Sequence, residues 1–377
     1  LSSIKITPEQ KNAIECEDAY IRCNAGAGAG KTLVVALRVV NLILSGVKPE
    51  HIMLCTFTNS GAGEMRERIK AYLEDYDVDV DTDAITIKTF NAFCNDIVIE
   101  EYDKLGFESE PKLIEEPERA RLISKIADSF EIEGLDYANF DSSLVWNSGL
   151  NVMSRAFDVI KKYQLNIGDE NILKEKLPYT LEPAAYEQLL ECYNEYYTVM
   201  RENNLIEFAD QELLFFELLQ QNPYYLEDFG YEYIIVDEFQ DSDESQMNLI
   251  KALCDCSSFK SLMVVGDDSQ SIFSFRDTSP EFIIKFFDKM NVPESERKDI
   301  FLVNNYRSTQ NIIKLANQVN ELNENRVKKD LIATREDGVM PEVKGFHNKE
   351  SEYEYIVNKV KKLINSGEAP EDISCIL

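Results

Sequence analysis

Histidine is nearly absent. His51 and His347 are the only two in 377 residues, which excludes a histidine-rich metal site. The eight cysteines (Cys16, Cys23, Cys55, Cys94, Cys192, Cys254, Cys256 and Cys375) are irregularly spaced and form no C-x-x-C pair. They are expected to be reduced core thiols of a cytoplasmic protein rather than zinc or iron–sulfur ligands. No apolar run approaches the roughly 20 residues that a membrane-spanning helix requires. No secretory leader is visible at the start. The first residue is Leu1, so the natural start is expected to lie upstream. Positive charge is scarce as well: 39 Lys and Arg stand against 69 Asp and Glu, a net charge of −30. That argues against tight non-specific binding to nucleic acid, which needs local cations. It leaves room for a groove with a few placed cations, because net charge speaks mainly to solubility. Asp77, Asp79, Asp81 and Asp83 half-match a calcium loop. The sixth and twelfth positions hold Thr82 and Lys88, where such a loop needs Gly and a carboxylate. The stretch reads as a solvated acidic loop.

What remains is ordinary globular material, 44% hydrophobic and 29% charged, long enough for two or three domains. Residues 19–24, 52–56 and 85–89 read as buried strands, with helices at 32–44 and 62–73 between them. This β-α-β alternation predicts an α/β fold with a parallel sheet. From about residue 91 to 205 long helical patterns take over, at 117–130, 151–163 and 183–203. Strand signals return at 233–236 and 261–265. A helical insertion in an α/β domain accounts for this order. A strand at 301–303 is expected to open a second α/β unit. It is followed by a helix from Ser308, a strand at 343–346, a helix from Ser351 and a strand at 373–377.

The strongest local signal is Ala25-Gly26-Ala27-Gly28-Ala29-Gly30-Lys31-Thr32, between a strand and a helix. Gly28 and Gly30 permit backbone angles that turn successive N–H groups toward phosphate. The helix N-terminus adds a favourable dipole. Lys31 is placed to reach the β- and γ-phosphates of a nucleotide, and Thr32 to ligate Mg²⁺. The usual pattern begins with Gly, where this chain has Ala25.

A Walker-type ATPase also needs a carboxylate at the end of a second apolar strand. Residues 233–236 lead directly into Asp237 and Glu238. Asp237 is the candidate Mg²⁺ ligand through water. Glu238 is the candidate base for the attacking water.

From Asp237-Glu238-Phe239-Gln240-Asp241 onward the chain resembles the UvrD/Rep/PcrA helicases of superfamily 1, whose motif II reads DEFQD. Other boxes follow in the family's order. Thr7-Pro8-Glu9-Gln10 resembles the adenine-reading Q motif, and residues 25–32 resemble AGAGSGKT with Ala29 for Ser. Thr56-Phe57-Thr58-Asn59 and Met65-Arg66-Glu67-Arg68 resemble motif Ia. Thr89-Phe90-Asn91-Ala92-Phe93-Cys94 resembles the TFHSLC box, with Asn91 for His. Glu207-Phe208-x-Asp210 resembles the DFxDLL segment that re-enters the first domain. Residues 266–276, including Gln270, Phe273, Phe275 and Arg276, resemble motif III. Asn305-Tyr306-Arg307-Ser308-Thr309 resembles motif IV.

The resemblance implies a RecA-like P-loop core with a helical insertion and the start of a second RecA-like domain. It divides the chain into 1–90 with 207–290 (first core domain), 91–206 (insertion) and 291–377 (opening of the second). It implies an ATP- and Mg²⁺-dependent enzyme that moves 3′→5′ on single-stranded DNA and unwinds duplex at junctions. Lys31, Glu238, Gln270 and Arg307 would be catalytic. Gln10 would hydrogen-bond adenine, Tyr306 would stack on it, and Arg307 would be an arginine finger. Gln270 would sense the γ-phosphate and couple it to DNA. Phe57, Thr58, Asn59, Thr89, Phe90, Asn91, Phe273, Phe275 and Arg276 would face DNA, with Phe57, Phe273 and Phe275 stacking on bases without regard to sequence. Leu33 replaces a family Arg, and Gly61 and Gly63 replace bulkier residues, which is expected to loosen the start of the helix in motif Ia.

Motifs V and VI are missing, and residues 372–377 resemble the DIAVL strand that precedes the family's large inserted domain. The chain is therefore expected to be a fragment that binds nucleotide without unwinding DNA. Three alternatives stay open at this stage: an ATP-sensing regulatory module, a subunit of a helicase–nuclease, and, least compatible with motifs II and III, a small-molecule kinase.

Overall fold

The computed structural model describes residues 5–130, 132, 149–178, 180–272 and 278–375. They form two compact units: residues 1–302 with 326–329, and residues 303–325 with 330–377. In chain order the strands of the first unit are β1 (Tyr20–Ala25), β2 (Ile52–Cys55), β3 (Thr86–Lys88), β4 (Lys112–Leu113), β5 (Leu205–Ile206), β6 (Tyr233–Val236), β7 (Ser261–Gly266) and β8 (Arg297–Leu302). Its main helices are α1 (Pro8–Glu15), α2 (Lys31–Leu44), α3 (Asn59–Asp75), α4 (Phe90–Glu100), α5 (Glu116–Ala127), α6 (Gly149–Tyr163), α7 (Glu170–Lys176), α8 (Pro183–Glu202), α9 (Asp210–Gln221) and α10 (Glu244–Cys254). Two one-turn helices follow, α11 (Glu281–Ile284) and α12 (Phe286–Lys289).

Six strands make one parallel sheet in the order β3-β2-β6-β7-β1-β8. Its inner strands β2, β6 and β7 are largely apolar because both faces are covered. Successive residues point to opposite faces. Ile52, Leu54, Ile235, Met263 and Val265 join the core under α1, α2 and α3. Met53, Cys55, Ile234, Val236, Leu262 and Val264 join the core under α4, α9 and α10. Fully burying one such side chain stabilises the fold by about 1.5–3 kcal/mol.

Helix α2 has no Gly or Pro and buries most of its length, including Arg38, which is 1% exposed. The Arg38 guanidinium donates to the carbonyls of Ala13 (3.1 Å) and Cys16 (2.9 Å) and to Ser261 Oγ (3.3 Å). It thereby satisfies the free carbonyls at the end of α1 and fixes that helix against α2.

Two differences from the sequence reading concern boundaries. The strand expected at 301–303 is the end of β8, which pairs with β1 and closes the first sheet. Asp299 draws it there, taking Arg22 Nε and Nη2 at 2.7 and 2.8 Å and Asn24 Nδ2 at 3.0 Å. Helix α4, read as the start of the insertion, packs instead on the sheet, with Phe90, Phe93, Cys94 and Ile97 in its core.

The insertion proper is bracketed by the short parallel pair β4–β5. Between them α5, α6, α7 and α8 share a separate core around Phe157, Leu189 and Tyr196. At its exit Glu207 is buried between Arg119 and Lys161, and Lys161 also reaches Asp210 Oδ1 at 2.9 Å. Burial pushes the Glu207 carboxyl up, but Lys161 and Arg119 outweigh it and hold the group below its ordinary value.

The second unit contains a parallel pair, β9 (Asn304–Asn305) and β10 (Ile332–Ala333), with α13 (Gln310–Glu321) and α14 (Lys349–Asn365). Asn317 clasps Leu331 through both its amide groups, at 2.9 and 3.1 Å. The strand expected at 343–346 does not form: Val343 is 87% exposed and the stretch lies beside no partner strand among the described residues. Residues 373–375 are likewise not a strand, and 376–377 lie outside the described residues.

Candidate active site

The candidate residues of the first unit gather where parallel strands end and helices begin, the usual place for ligands in such sheets. The loop from β1 to α2 is tied down by Gly26 N–H, which donates to the Leu302 carbonyl at 2.9 Å. Gly28 and Gly30 adopt φ of +65° and +84°. Gly30 is the N-cap of α2, and no side chain caps that end. The first N–H groups of a fourteen-residue helix therefore point out of the loop with the positive end of the dipole behind them. That arrangement suits a polyphosphate.

Gln10 lies beneath the loop and is 4% exposed. Its Oε1 accepts from Thr7 N–H at 3.0 Å and its Nε2 donates to the Ala29 carbonyl at 3.1 Å. One donor and one acceptor position of the amide remain for another partner. A Cβ at Gly30 would stand 3.0 Å from Gln10 Nε2, so the glycine serves the close approach as well as the left-handed turn.

Lys31 Nζ donates to Glu238 Oε2 at 2.7 Å. Glu238 follows β6 with φ of +50°, a left-handed conformation that costs a non-glycine residue about 1 kcal/mol. Phe239 beside it is fully buried, edge-on to Phe286 at 5.6 Å. Burial, then the charge of Glu238, pushes the Asp237 carboxyl up to about 6, while Lys31 pulls it down. The same first two causes raise Asp241 to about 6, and its Oδ1 is buried without a hydrogen-bond partner. A carboxylate raised by burial is one a divalent cation would return to its ionised form. Among the described residues no group of three or more His, Cys, Asp or Glu is arranged around a metal. Thr32 and Asp237 nevertheless fit Mg²⁺, which takes few protein ligands and completes its shell with water and phosphate oxygens.

Gln240, which stands in motif II without an expected role, is a site residue. It is 2% exposed. Its Nε2 donates to Glu238 Oε2 (2.9 Å) and Asp241 Oδ2 (3.1 Å), and its Oε1 accepts from Asp267 N–H at 3.0 Å. Asp267 in turn accepts from Gln270 Nε2 at 2.6 Å. Lys31, Glu238, Gln240, Asp267 and Gln270 thus form one continuous chain of polar contacts across β1, β6 and β7. The signal in the sequence is its place in the motif II box, with Gly266 at the end of β7. A Cβ at Gly266 would meet Gln240 Oε1 at 2.4 Å.

The residues expected to face DNA fare differently. Thr58 and Thr89 cap α3 and α4, accepting from Gly61 N–H at 3.0 Å and Ala92 N–H at 3.1 Å. Thr89 Oγ1 also donates to Asn59 Oδ1 at 3.4 Å, so these two helix starts are neighbours. Gly61 and Gly63 lie in the first turns of α3, which the Thr58 side chain caps. Phe57 and Asn91 are half-buried. Phe90 is corrected: it is 5% exposed and packs in the sheet core, so its ring is not presented to a base. Phe273, Phe275 and Arg276 lie outside the described residues. Tyr306 and Arg307 belong to the second unit, where Tyr306 is exposed and Asn305 Oδ1 accepts the Arg307 and Ser308 N–H groups at 3.0 and 2.7 Å. No helix among the described residues is long and apolar enough to cross a membrane.

Comparison with known proteins gives consistent matches. The family model described as the UvrD/REP helicase N-terminal domain matches residues 6–291, and that of the UvrD-like helicase C-terminal domain matches 300–377. A probable DNA helicase II homolog of Mycoplasma capricolum is 29% identical over 373 residues, covering 98% of this chain and 48% of that protein. The ATP-dependent DNA helicase PcrA of Staphylococcus aureus is 28% identical over 373 residues, covering 98% and 47%. PcrA of Staphylococcus epidermidis is 29% identical over 371 residues, covering 98% and 47%. The chain spans about half the length of the curated relatives it matches.

Proposed function

Because the chain belongs to the UvrD/REP helicase family, we propose that it is the nucleotide-binding front part of a cytoplasmic DNA helicase that hydrolyses ATP to move 3′→5′ on single-stranded DNA and open duplex at junctions. The observation that carries this reading is the contact chain from Lys31 to Gln270, which begins beside the uncapped start of α2. We divide it into a first core domain, a helical insertion and the opening of a second core domain.

Bound Mg·ATP supplies the γ-phosphoryl group and the charge that the site must stabilise. The N–H groups at the start of α2 and the Lys31 ammonium hold the phosphates. Thr32 and Asp237 hold the cation. Lys31 also reaches Glu238, at 2.7 Å. A phosphate attracts Lys31 more strongly than one carboxylate does, so binding frees Glu238 to orient water and accept its proton. Gln240 keeps Glu238 aimed while Lys31 leaves. Gln270 reports on the γ-phosphate. Gln10 and Tyr306 contact adenine, and Arg307 meets the charge that develops in transfer. Phe57, Thr58, Asn59, Thr89 and Asn91 line the path of single-stranded DNA, joined by Phe273, Phe275 and Arg276.

The test is Glu238→Gln in the full-length protein, with DNA-stimulated ATP turnover and binding of a fluorescent nucleotide measured together. Losing a general base lowers turnover by about 100- to 10,000-fold. Nucleotide binding is expected to change by no more than a few-fold. Turnover within threefold of the unchanged protein refutes the assignment.

A further inference from the structure

Lys329 lies outside every motif described above. It sits in a four-residue segment, 326–329, that belongs to the first unit although the residues on both sides of it belong to the second. Its side chain is 4% exposed, and its ammonium lies 2.9 Å from Asp267 Oδ1 and also contacts Asp268 Oδ1. Both carboxylates are buried as deeply as the lysine. Their other contacts are N–H groups: Asp268 Oδ2 accepts from Val327 N–H at 3.1 Å, and Asp267 Oδ1 from Ser269 N–H at 3.2 Å. Asp267 Oδ2 takes the Gln270 amide at 2.6 Å.

Adjacent buried carboxylates repel each other and are tolerated only with a counter-charge and hydrogen bonds. Lys329 supplies that charge to both at once. A compact ammonium with three donors can bridge two oxygens in a space that would not admit a planar guanidinium without rearrangement. With the ammonium in place, Asp267 has one orientation, and Gln270 hangs from its second oxygen. The Asp267 N–H is held by Gln240, which also holds Glu238.

We infer that Lys329 is a positioning residue: by clamping Asp267 and Asp268 it sets the Gln270 amide, and through it the response of ATP turnover to DNA. This rests on the reading of Gln270 given above. Removing the ammonium frees Asp267 to turn, so the Gln270 amide loses its fixed acceptor while the phosphate loop is untouched.

The experiment uses the full-length protein and titrates single-stranded DNA into an ATP turnover assay. Lys329→Met, Lys329→Met with Asp268→Asn, and Gln270→Ala are compared with the unchanged protein, and thermal unfolding is followed for each. Lys329→Met is expected to reduce the fold-stimulation by DNA about tenfold, the scale on which residues between coupled sites act. KM for ATP should stay within about twofold, since an interaction that only positions the sensor does not add uniform nucleotide binding. The double variant, which removes one unpaired charge, should regain thermal stability without regaining stimulation. That variant decides the matter if Lys329→Met alone does not fold. Stimulation that returns together with stability marks a purely structural lysine and overturns the inference. Stimulation kept in the Lys329 variants but lost in Gln270→Ala overturns it while leaving Gln270 as the sensor. An unchanged protein that ignores DNA, or a Gln270→Ala variant with full stimulation, removes the reading and the inference together.

Discussion

Gly266→Ala puts the link between motifs II and III under direct load. The new Cβ would lie 2.4 Å from Gln240 Oε1, 2.8 Å from Ile283 Cδ1 and 3.2 Å from the Gln240 backbone nitrogen. The amide oxygen must withdraw by on the order of 1 Å to reach ordinary contact. It now accepts from Asp267 N–H at 3.0 Å. After withdrawal that separation is about 4 Å, outside hydrogen-bonding range. A buried N–H left without its acceptor costs about 1–3 kcal/mol. Crowding against Ile283 adds about 1–3 kcal/mol of overpacking. The substitution should therefore lower stability by about 2–6 kcal/mol, read as a shift in the urea midpoint at constant slope. A double-mutant cycle separates the two parts. In a Gln240→Ala background the oxygen is gone, so Gly266→Ala should cost only the crowding against Ile283 and the backbone nitrogen of residue 240. A coupling of about 1–3 kcal/mol is expected. Additivity within about 0.5 kcal/mol would refute the view that Gly266 exists to admit Gln240.

Two further substitutions test the charges buried behind the site. Glu207→Ala leaves Arg119 and Lys161 without their shared carboxylate, which should cost about 3–5 kcal/mol in urea or thermal unfolding; a loss under 1 kcal/mol would remove the network as a support of the insertion. Glu212, on α9, has its carboxyl pushed up to about 7 by burial and then by Asp243, with Ser245 pulling it down and the Cys94 thiol nearby. Because the folded state keeps this proton after the unfolded chain has released it, stability falls as pH rises from the ordinary 4.5 to about 7. Glu212→Gln should remove that fall and stabilise the protein at pH 8 by up to about 3 kcal/mol. Melting curves at pH 5 and pH 8 that change in parallel for both proteins would show that Glu212 titrates normally.

The sheet was legible because its inner strands are short apolar runs such as residues 52–55 and 233–236, buried on both faces. The edge strand β8 was cut short because only its end looks like a strand. Arg297, Lys298 and Asp299 are polar, and pairing with β1 rather than hydrophobicity holds them extended. Residues 343–346 made the opposite error, an apolar run with no partner beside it. In the candidate site, Lys31, Thr32, Asp237 and Glu238 announce themselves by spacing, since phosphate chemistry demands them at strand ends. Phe90 was misplaced because a motif names a residue without saying which way its ring points; at the first turn of α4 it points into the core. Nothing in the sequence alone separates Gln240 from its polar neighbours or singles out Lys329. Lys329 sits in Lys328-Lys329-Asp330, which reads as solvated charge. Only the fold shows that one of these lysines meets two carboxylates some sixty residues away in sequence.

The sheet order also bears on how the protein is made. β1 leaves the ribosome before the other strands of its sheet, yet its two neighbours, β7 and β8, are the last of them. The loop after it is closed by the Leu302 carbonyl. At about 5–20 residues per second, the stretch from Ala25 to Leu302 takes on the order of 15–60 s to synthesise. Both edges of β1 are unpaired until β7 emerges and one remains so until β8 does, and the apolar face of α2 has only part of its floor. Nascent chains are therefore expected to expose these edges for that time, and a chaperone that engages β1 and α2 would have something specific to protect until β8 emerges.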